Sequence, residues 1–494
     1  WSNGSVPSAS DNIIIPDGAS LSVDVATAAV NNINIQEGGE LTINASQSLS
    51  VSGTMTIEDG GSFINNGTLD NGAKGDAAGI MQRNISAWTN NDPGQSDGWH
   101  LLGTPVATFN IDDSDFNPGV NDDLYGWSET TWEWLNHKAG NPTQMVPGYG
   151  YLAAYGTSAT KDFAGTFNNS NVLLEDLSVT PTKGNGWHLL GNPFQSALHW
   201  TNVAETWAPT NIATGAKILQ NRTYVDITAD GANQYIPANQ GFFVKATNAD
   251  NTITIPAAER VHNSTAFYKS VPANVLELVA SDGVNNTVKT WIQFMDDATA
   301  GFDEKYDMYF LGGMYQAPYL YSKISETERL STNRIAPVQE SATVQLAFKS
   351  FHNVEYTISA NYVNSFDSNI DLILEDMQEA IQINLRETPQ YSFMASANEL
   401  TERFRLHILK STGIESTEPL AGLSIYSFAN SLYFNTSLSL DANISVFNIT
   451  GQEVYTTRTN LTGQQQFNLN VPTGWYVVKV LCDEGIKSEK IFIR

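Results

Sequence analysis

Asp113, Asp115 and Asn117 place oxygen-bearing side chains at alternate positions of the stretch Asp112–Asp123, the spacing at which a calcium loop supplies its first ligands. Gly119 falls one place late for an EF-hand, and no Glu closes the loop. A Ca2+ site and a solvated acidic loop are therefore both open readings. Asp296, Asp297, Asp303 and Asp307 form a second acidic stretch with the same two readings. Three tryptophans, Trp127, Trp132 and Trp134, fall close together. Period-two alternation predicts Trp132 and Trp134 on one strand face. Exposed, they would form a flat platform for a sugar ring, with Asp122 or Glu133 accepting its hydroxyl hydrogen bonds. Buried, the same rings are core.

Nothing else in the chain spells out catalysis. His100, His137, His188, His199, His262, His352 and His407 include no His-Glu-x-x-His pair, and no Gly-x-Ser-x-Gly elbow occurs. No Gly-rich phosphate loop precedes a helix. Cys482 is the single cysteine, so no internal disulfide can form. Asp483 and Glu484 beside it would raise its pKa and dull a nucleophile. A glycosidase pair is defined by distance, so the many carboxylates neither make nor exclude one. The expectation is a protein that is not an enzyme, with no cofactor beyond a possible Ca2+.

The elements that must position these residues are strands. The chain has 494 residues, abundant Gly, Asn, Ser and Thr, and no long helical periodicity. This composition predicts an all-β, multidomain chain of roughly three to five domains. A formal net charge of −27 should repel nucleic acid and anionic lipid. No run of about 18 apolar residues exists, so no membrane insertion by a helix is expected. The first residue is Trp1, without Met or an apolar leader, which reads as a mature N-terminus after signal removal.

Residues 1–72 contain a repeat. Ile15–Leu21, Ile35–Leu41 and Ile57–Phe63 align at a spacing of about 21 residues, each with an acidic-Gly turn between short strands. This predicts a short β-solenoid from Asn12 to about Leu69, with a β-sandwich of similar hairpins as the alternative. A solenoid end leaves strand edges open and needs a cap or a neighbour. A longer duplication follows. Gly98–Pro105 returns as Gly186–Pro193, and Val146–Leu152 returns as Ile236–Val244, both offset by about 90 residues. Two β-modules are predicted, 82–180 and 181–269. Residues 270–410 read as a β-sandwich, 411–421 as a polar linker, and 422–494 as a small Ig-like sandwich.

The Gly-Trp-x-Leu-x-Gly-Asn-Pro block at Gly186–Pro193, with Gln240-Gly241-Phe242-Phe243-Val244 after it, resembles a module common in large secreted Bacteroidetes proteins. The first copy departs from it, with Thr104 for Asn and Gly148-Tyr149-Gly150-Tyr151 for Gln-Gly-Phe-Phe. The last stretch carries a second resemblance. A strand–Gly451–strand unit precedes Gly474-Trp475-Tyr476-Val477-Val478-Lys479-Val480, and Lys490-Ile491-Phe492-Ile493-Arg494 ends the chain. This order resembles the C-terminal sorting domain of the type IX (Por) secretion system of Bacteroidetes. The resemblance implies an address at the cell surface or outside the cell. It also implies two partners, the secretion translocon and its outer-membrane shuttle protein, and a sorting motif of Gly451, Gly474, Tyr476, Lys479, Lys490 and Arg494. The expected function is a non-enzymatic cell-surface or extracellular structural or adhesion protein, with self-assembly as one route. A carbohydrate-binding surface protein that meets surface glycans through the aromatic platform is the alternative.

Overall fold

The computed structural model describes residues 7–26, 28–71, 78–88, 98–200, 206–220, 223–228, 234–262, 273–283, 287–304, 306–312, 317–325, 328–339, 341–397, 400–410, 420, 422–428, 430–448 and 451–493. The chain divides into two compact units, Trp1–Lys410 and Ser411–Arg494. Both are built of strands. Among the described residues no helix is long and apolar enough to cross a membrane.

The N-terminal repeat winds into a parallel β-coil with three sides. Its strands are β1 (Asn12–Ile15), β2 (Ser20–Val23), β3 (Ala28–Val30), β4 (Asn32–Ile35), β5 (Glu40–Ile43), β6 (Ser48–Val51), β7 (Met55–Ile57), β8 (Ser62–Asn65), β9 (Thr68–Asp70) and β10 (Ala78–Ile85). Each coil lends one strand to each of three sheets, ordered β1-β4-β7-β10, β2-β5-β8 and β3-β6-β9. The solenoid expectation holds. Two strands per repeat were expected, and the third side was not, because strands of three or four residues are too short for alternation to reveal them. Ile15, Ile35 and Ile57 stack inside, one above the other, as do Leu41 and Phe63. No single coil has enough such residues to stand alone, since burying one contributes only about 1.5–3 kcal/mol. The acidic-Gly turns stack too. The Gly18 N–H donates to Gly38 O and the Gly38 N–H to Gly60 O, each at 3.1 Å. Their φ values of 71°, 71° and 82° need glycine, which is why the repeat is visible in the sequence.

The far end of the coil is covered. β10 pairs with β7 on one side and, over eight residues, antiparallel with Ala159–Thr166 on the other. The Phe63 N–H donates to Gln195 O at 3.0 Å. Among the described residues no strand pairs with the outer edges of β1, β2 and β3.

The duplicated blocks form two four-stranded antiparallel sheets of the same order. In the first, Gly150–Ala154 lies between His100–Gly103 and Asp123–Ser128, with Glu133–Asn136 outermost. In the second, Gly241–Ala246 lies between Trp187–Gly191 and Ile212–Gln220, with Thr223–Ile227 outermost. The two sheets meet at the glycines of their Leu-Leu-Gly strands. The Gly103 N–H donates to Asn239 O (2.8 Å) and the Gly191 N–H donates to Gly148 O (3.0 Å), a reciprocal pair. A Cβ on either glycine would stand 2.7 Å from the other's Cα, so backbone packs directly on backbone.

Asn192 explains the Gly-Asn-Pro turn. It is fully buried, its Nδ2 donates to Ser196 O and Pro237 O (both 2.9 Å) and to Ile236 O (3.3 Å), and its Oδ1 accepts from the Phe194 N–H (3.0 Å). In the first copy Thr104 makes a smaller version, with Oγ1 donating to Val106 O and accepting from its N–H.

Residues from Val275 to Lys410 form one eleven-stranded sheet. Its two ends face each other across a single core, where Phe393 lies 4.9 Å from Phe404 and Tyr391 Oη donates to Asp376 (2.9 Å). Asp376 also pairs with buried Arg403. The C-terminal unit is a five-stranded sandwich of Leu423–Phe428, Ser431–Asn448, Glu453–Asn468, Gly474–Cys482 and Gly485–Ile493. The 18-residue strand is its spine. Its first half pairs with Leu423–Phe428 and its second half with Gly474–Cys482, while Glu453–Asn468 follows it along both.

Candidate functional site

The C-terminal unit arranges its motif by alternation. Along Gly474–Cys482, Tyr476, Val478 and Val480 point into the core while Trp475, Val477 and Leu481 face solvent. The terminal strand does the same, burying Ile491 and Ile493 and exposing Lys490 and Phe492. Tyr476 Oη donates to Pro472 O at 2.7 Å, which ties the Pro-Thr-Gly turn to the core. Gly451, at φ 80°, closes the turn after the spine strand, and its N–H donates to Asn448 O (3.0 Å). Gly474 opens the strand that carries Trp475 to Cys482. Lys479 lies half-buried among the outward positions. Lys490 lies over the Trp475 ring, 4.8 Å from its centroid. Arg494 lies outside the described residues. Burial pushes the Cys482 thiol above its ordinary range, so the only cysteine is not an activated nucleophile.

The three tryptophans come together, but not as a platform. Trp127 and Trp134 are cross-strand neighbours. Trp132 is not on the strand with Trp134; it sits in the preceding turn at φ 59°. That corrects the alternation reading. A turn residue in the left-handed region breaks the period of two. The rings of Trp132 and Trp134 stand edge-on to Trp127, at 80° and 62°, each 4.8 Å away, so the rings do not share a plane. Trp127 Nε1 donates to Trp187 O (2.7 Å), and Phe243 of the second module completes the cluster. Trp132 is the exposed member, at 39%. Of its expected acceptors, Glu133 is exposed, and Asp122 already accepts from the N–H groups of Gly119 and Gly156.

The oxygens of the first acidic loop do not converge. Asp113 accepts from Asn110 (3.4 Å), Asp115 accepts from the Asp162 N–H (3.1 Å), and Asn117 donates to Asp112 O (3.0 Å). A polar hollow of about 400 Å³ adjoins them, lined by Asp112, Asn117, His137 and Lys138 among others. His137 bridges Asp112 Oδ1 (3.1 Å) and Pro142 O (2.6 Å) there. In the second acidic loop, Asp303 accepts from Thr299, and Asp307 accepts from the N–H groups of Asp303 and Arg334. Burial pushes the Asp307 carboxyl up to about 6. Among the described residues no three His, Cys, Asp or Glu side chains gather as a metal site. Other histidines are likewise held. His100 is bonded to Ser86, His188 to Ser178 O, His262 to Thr42 and Ser62, and His407 to Glu375 and Thr343. Burial draws His100, His188 and His262 below the usual histidine range.

Sequence reasoning missed one buried polar cluster. Lys217 and Asp226, opposite each other in a hairpin, form an ion pair that Ser331 and Thr332 of the large sheet complete. Its signal was a lysine inside an apolar strand with an aspartate at the mirrored position of the next. Desolvation lowers the Lys217 pKa and the Asp226 charge opposes it. The cluster welds the second module to the large sheet.

Two matches to the family described as "Domain of unknown function (DUF8693)" cover residues 1–225 and 209–408, and the chain belongs to that family. Residues 429–494 match the secretion system C-terminal sorting domain. No curated protein matches the chain. Among solved structures, it is similar to dimeric latent PorU from Porphyromonas gingivalis, at 10% identity and a TM-score of 0.13, covering 67% of this chain and 35% of that one. It is also similar to the BSP domain of a biofilm associated protein, at 7% identity and a TM-score of 0.13, covering 66% of this chain and 81% of that one. The chain thus spans about a third of latent PorU. The sorting domain identifies a Bacteroidetes protein exported by the type IX system to the cell surface or beyond, and the type IX machinery is its partner.

Proposed function

We propose that the exported body is a non-enzymatic structural or adhesion protein. One observation carries this reading: among the described residues, the candidate side chains named above are taken up by packing and turn-holding. The acidic-loop carboxylates Asp113, Asp115 and Asp307 accept from groups of their own loops or of neighbouring strands, five histidines bond residues of neighbouring strands and turns, and the buried Lys217–Asp226 pair joins two sheets. Assembly fits the same reading. Among the described residues no strand pairs with the outer edges of the coil's first strands, and these edges border an apolar hollow of about 920 Å³, lined by Ile13, Ile15, Leu21, Val23, Val30 and Leu41 among others. Strand addition at such an edge is a common route to association.

The test is attachment of cells that display the full chain, compared with cells lacking it, beside a screen of the purified chain against polysaccharides and peptides. The expected result is reduced attachment without the protein and no turnover. Turnover abolished by substituting one carboxylate or histidine would overturn the reading. A glycan-binding surface is a second reading, favoured by the exposed indole of Trp132.

A further inference from the structure

The core of the C-terminal unit is closed, yet large apolar side chains remain outside it. Trp475 is 50% exposed, Val477 41% and Phe492 38%. They are neighbours. Trp475 pairs across the strands with Phe492, and Val477 with Lys490, so the four form a two-by-two block on one outer face. The Trp475 and Phe492 rings stand 5.2 Å apart at 64°, and the Lys490 ammonium covers the indole. The register cannot slip to hide them. A shift by one residue would expel Tyr476, Val478, Val480, Ile491 and Ile493 from the core. An aromatic pair held outward by a fixed register is the composition of an interface hot spot. The ammonium has three donors, and its stacking on the ring leaves them available to an acceptor.

We infer that the block Trp475–Val477–Lys490–Phe492 is the surface by which the type IX machinery grips this domain. The partner it fits is a protein recess with apolar walls and a carboxylate rim: the rings and Val477 enter the recess, and Lys490 meets the rim. The inference rests on residues 429–494 being a sorting domain, and it deepens that reading by naming the face that is recognised.

The test uses the full chain in type IX-competent cells, with surface and periplasmic fractions measured. Four variants are compared: Trp475→Ser with Phe492→Ser, Lys490→Glu alone, Leu438→Ser at an exposed site outside the block, and removal of residues 422–494. The expected result is a surface fraction lowered about tenfold or more for the double variant. Lys490→Glu lowers it less, and Leu438→Ser exports normally. Thermal melting of the purified double variant should match the unsubstituted chain. Lys490→Glu reverses an exposed charge and gives up only the contact with the Trp475 ring, leaving the core untouched, so it decides the matter if the double variant fails to fold. Normal export of both block variants while the truncation stays inside the cell would overturn the inference and leave the sorting reading intact. The same result with an altered oligomeric state would assign the block to a second copy and would also overturn it. Normal export of the truncated chain would sink the sorting reading itself.

Discussion

Adding one methyl group at Gly191 or Gly103 should separate the two duplicated modules. A Cβ on Gly191 would lie 2.5 Å from Tyr149 O and 2.7 Å from Gly103 Cα; on Gly103 it would lie 2.7 Å from Asn192 N and Gly191 Cα. All of these are backbone atoms, so no side chain can rotate away. Carbon atoms pack at about 3.5–4.0 Å, so the strands must part by about 1 Å. That parting stretches the two bonds between the modules, from Gly103 N to Asn239 O and from Gly191 N to Gly148 O. Overpacking costs about 1–3 kcal/mol, and each weakened hydrogen bond about 1 kcal/mol. Either alanine should therefore cost roughly 3–5 kcal/mol, a large share of a domain's usual stability of about 5–15 kcal/mol. The double variant should cost less than the sum, because both methyl groups open the same gap. Gly301→Ala is the control, since its Cβ would meet only Thr299 Oγ1 at 3.8 Å. Denaturant melts of the full chain, followed by tryptophan fluorescence, read the difference. If Gly103→Ala and Gly191→Ala both melt within about 0.5 kcal/mol of the control, backbone-on-backbone packing of the modules is wrong.

Three further outcomes follow from single residues. Asn192→Ala should cost roughly 2–3 kcal/mol and Thr104→Ala about 1, because the first removes four buried hydrogen bonds and the second two; paired denaturant melts give the ratio. Asp307 ionises near 6 when folded and near 3.9 when unfolded, so the folded chain holds the extra proton between those values and loses stability as pH rises through about 4 to 6. Asp307→Asn should remove a change on the order of 2 kcal/mol between pH 4 and 7, and equal slopes for both proteins would refute this. Trp132→Ala should leave stability within about 0.5 kcal/mol, whereas Trp127→Ala, in the centre of its cluster, should cost about 3–5 kcal/mol; a glycan array on the Trp132 variant decides the sugar reading, which fails if binding is absent or unchanged.

In the body of the chain, what the sequence made legible was whatever a repeat enforced. The stacked coil shows at Gly18, Gly38 and Gly60 because every rung needs a left-handed residue at the same place. The duplicated modules show at Gly103 and Gly191 because their contact admits no side chain. Hidden were features set by single residues meeting across long separations. Nothing local tells that Lys217 will find Ser331, or that Trp132 will leave the strand of Trp134 for a turn. The acidic loops misled for a physical reason. A turn leaves backbone N–H groups without partners, and an aspartate satisfies them with the same oxygens a cation would use. Asp303 accepts from the Thr299 N–H, Asp307 from the Asp303 N–H and Asp122 from the Gly119 and Gly156 N–H groups. Only burial and bond partners separate the two uses, and neither is written in residue type.

The C-terminal strands were the easiest to recognise, and alternation explains it. A strand with one buried face carries two messages in the same nine residues. In Gly474–Cys482 the inward residues Tyr476, Val478 and Val480 specify where the strand lies, and the outward residues Trp475, Val477, Lys479 and Leu481 are free of that duty. Packing rules tolerate exchange among Val, Ile and Leu inside a core far better than loss of volume. Nothing in folding asks for an exposed indole beside an exposed Phe492 with a lysine across it. Exposed aromatic area is a cost in solubility. We read the paired rings of Trp475 and Phe492 as held out for a contact beyond the fold. The inner row therefore explains why the domain folds, and the outer row, Trp475 and Val477 with Lys490 and Phe492, is where its address is written.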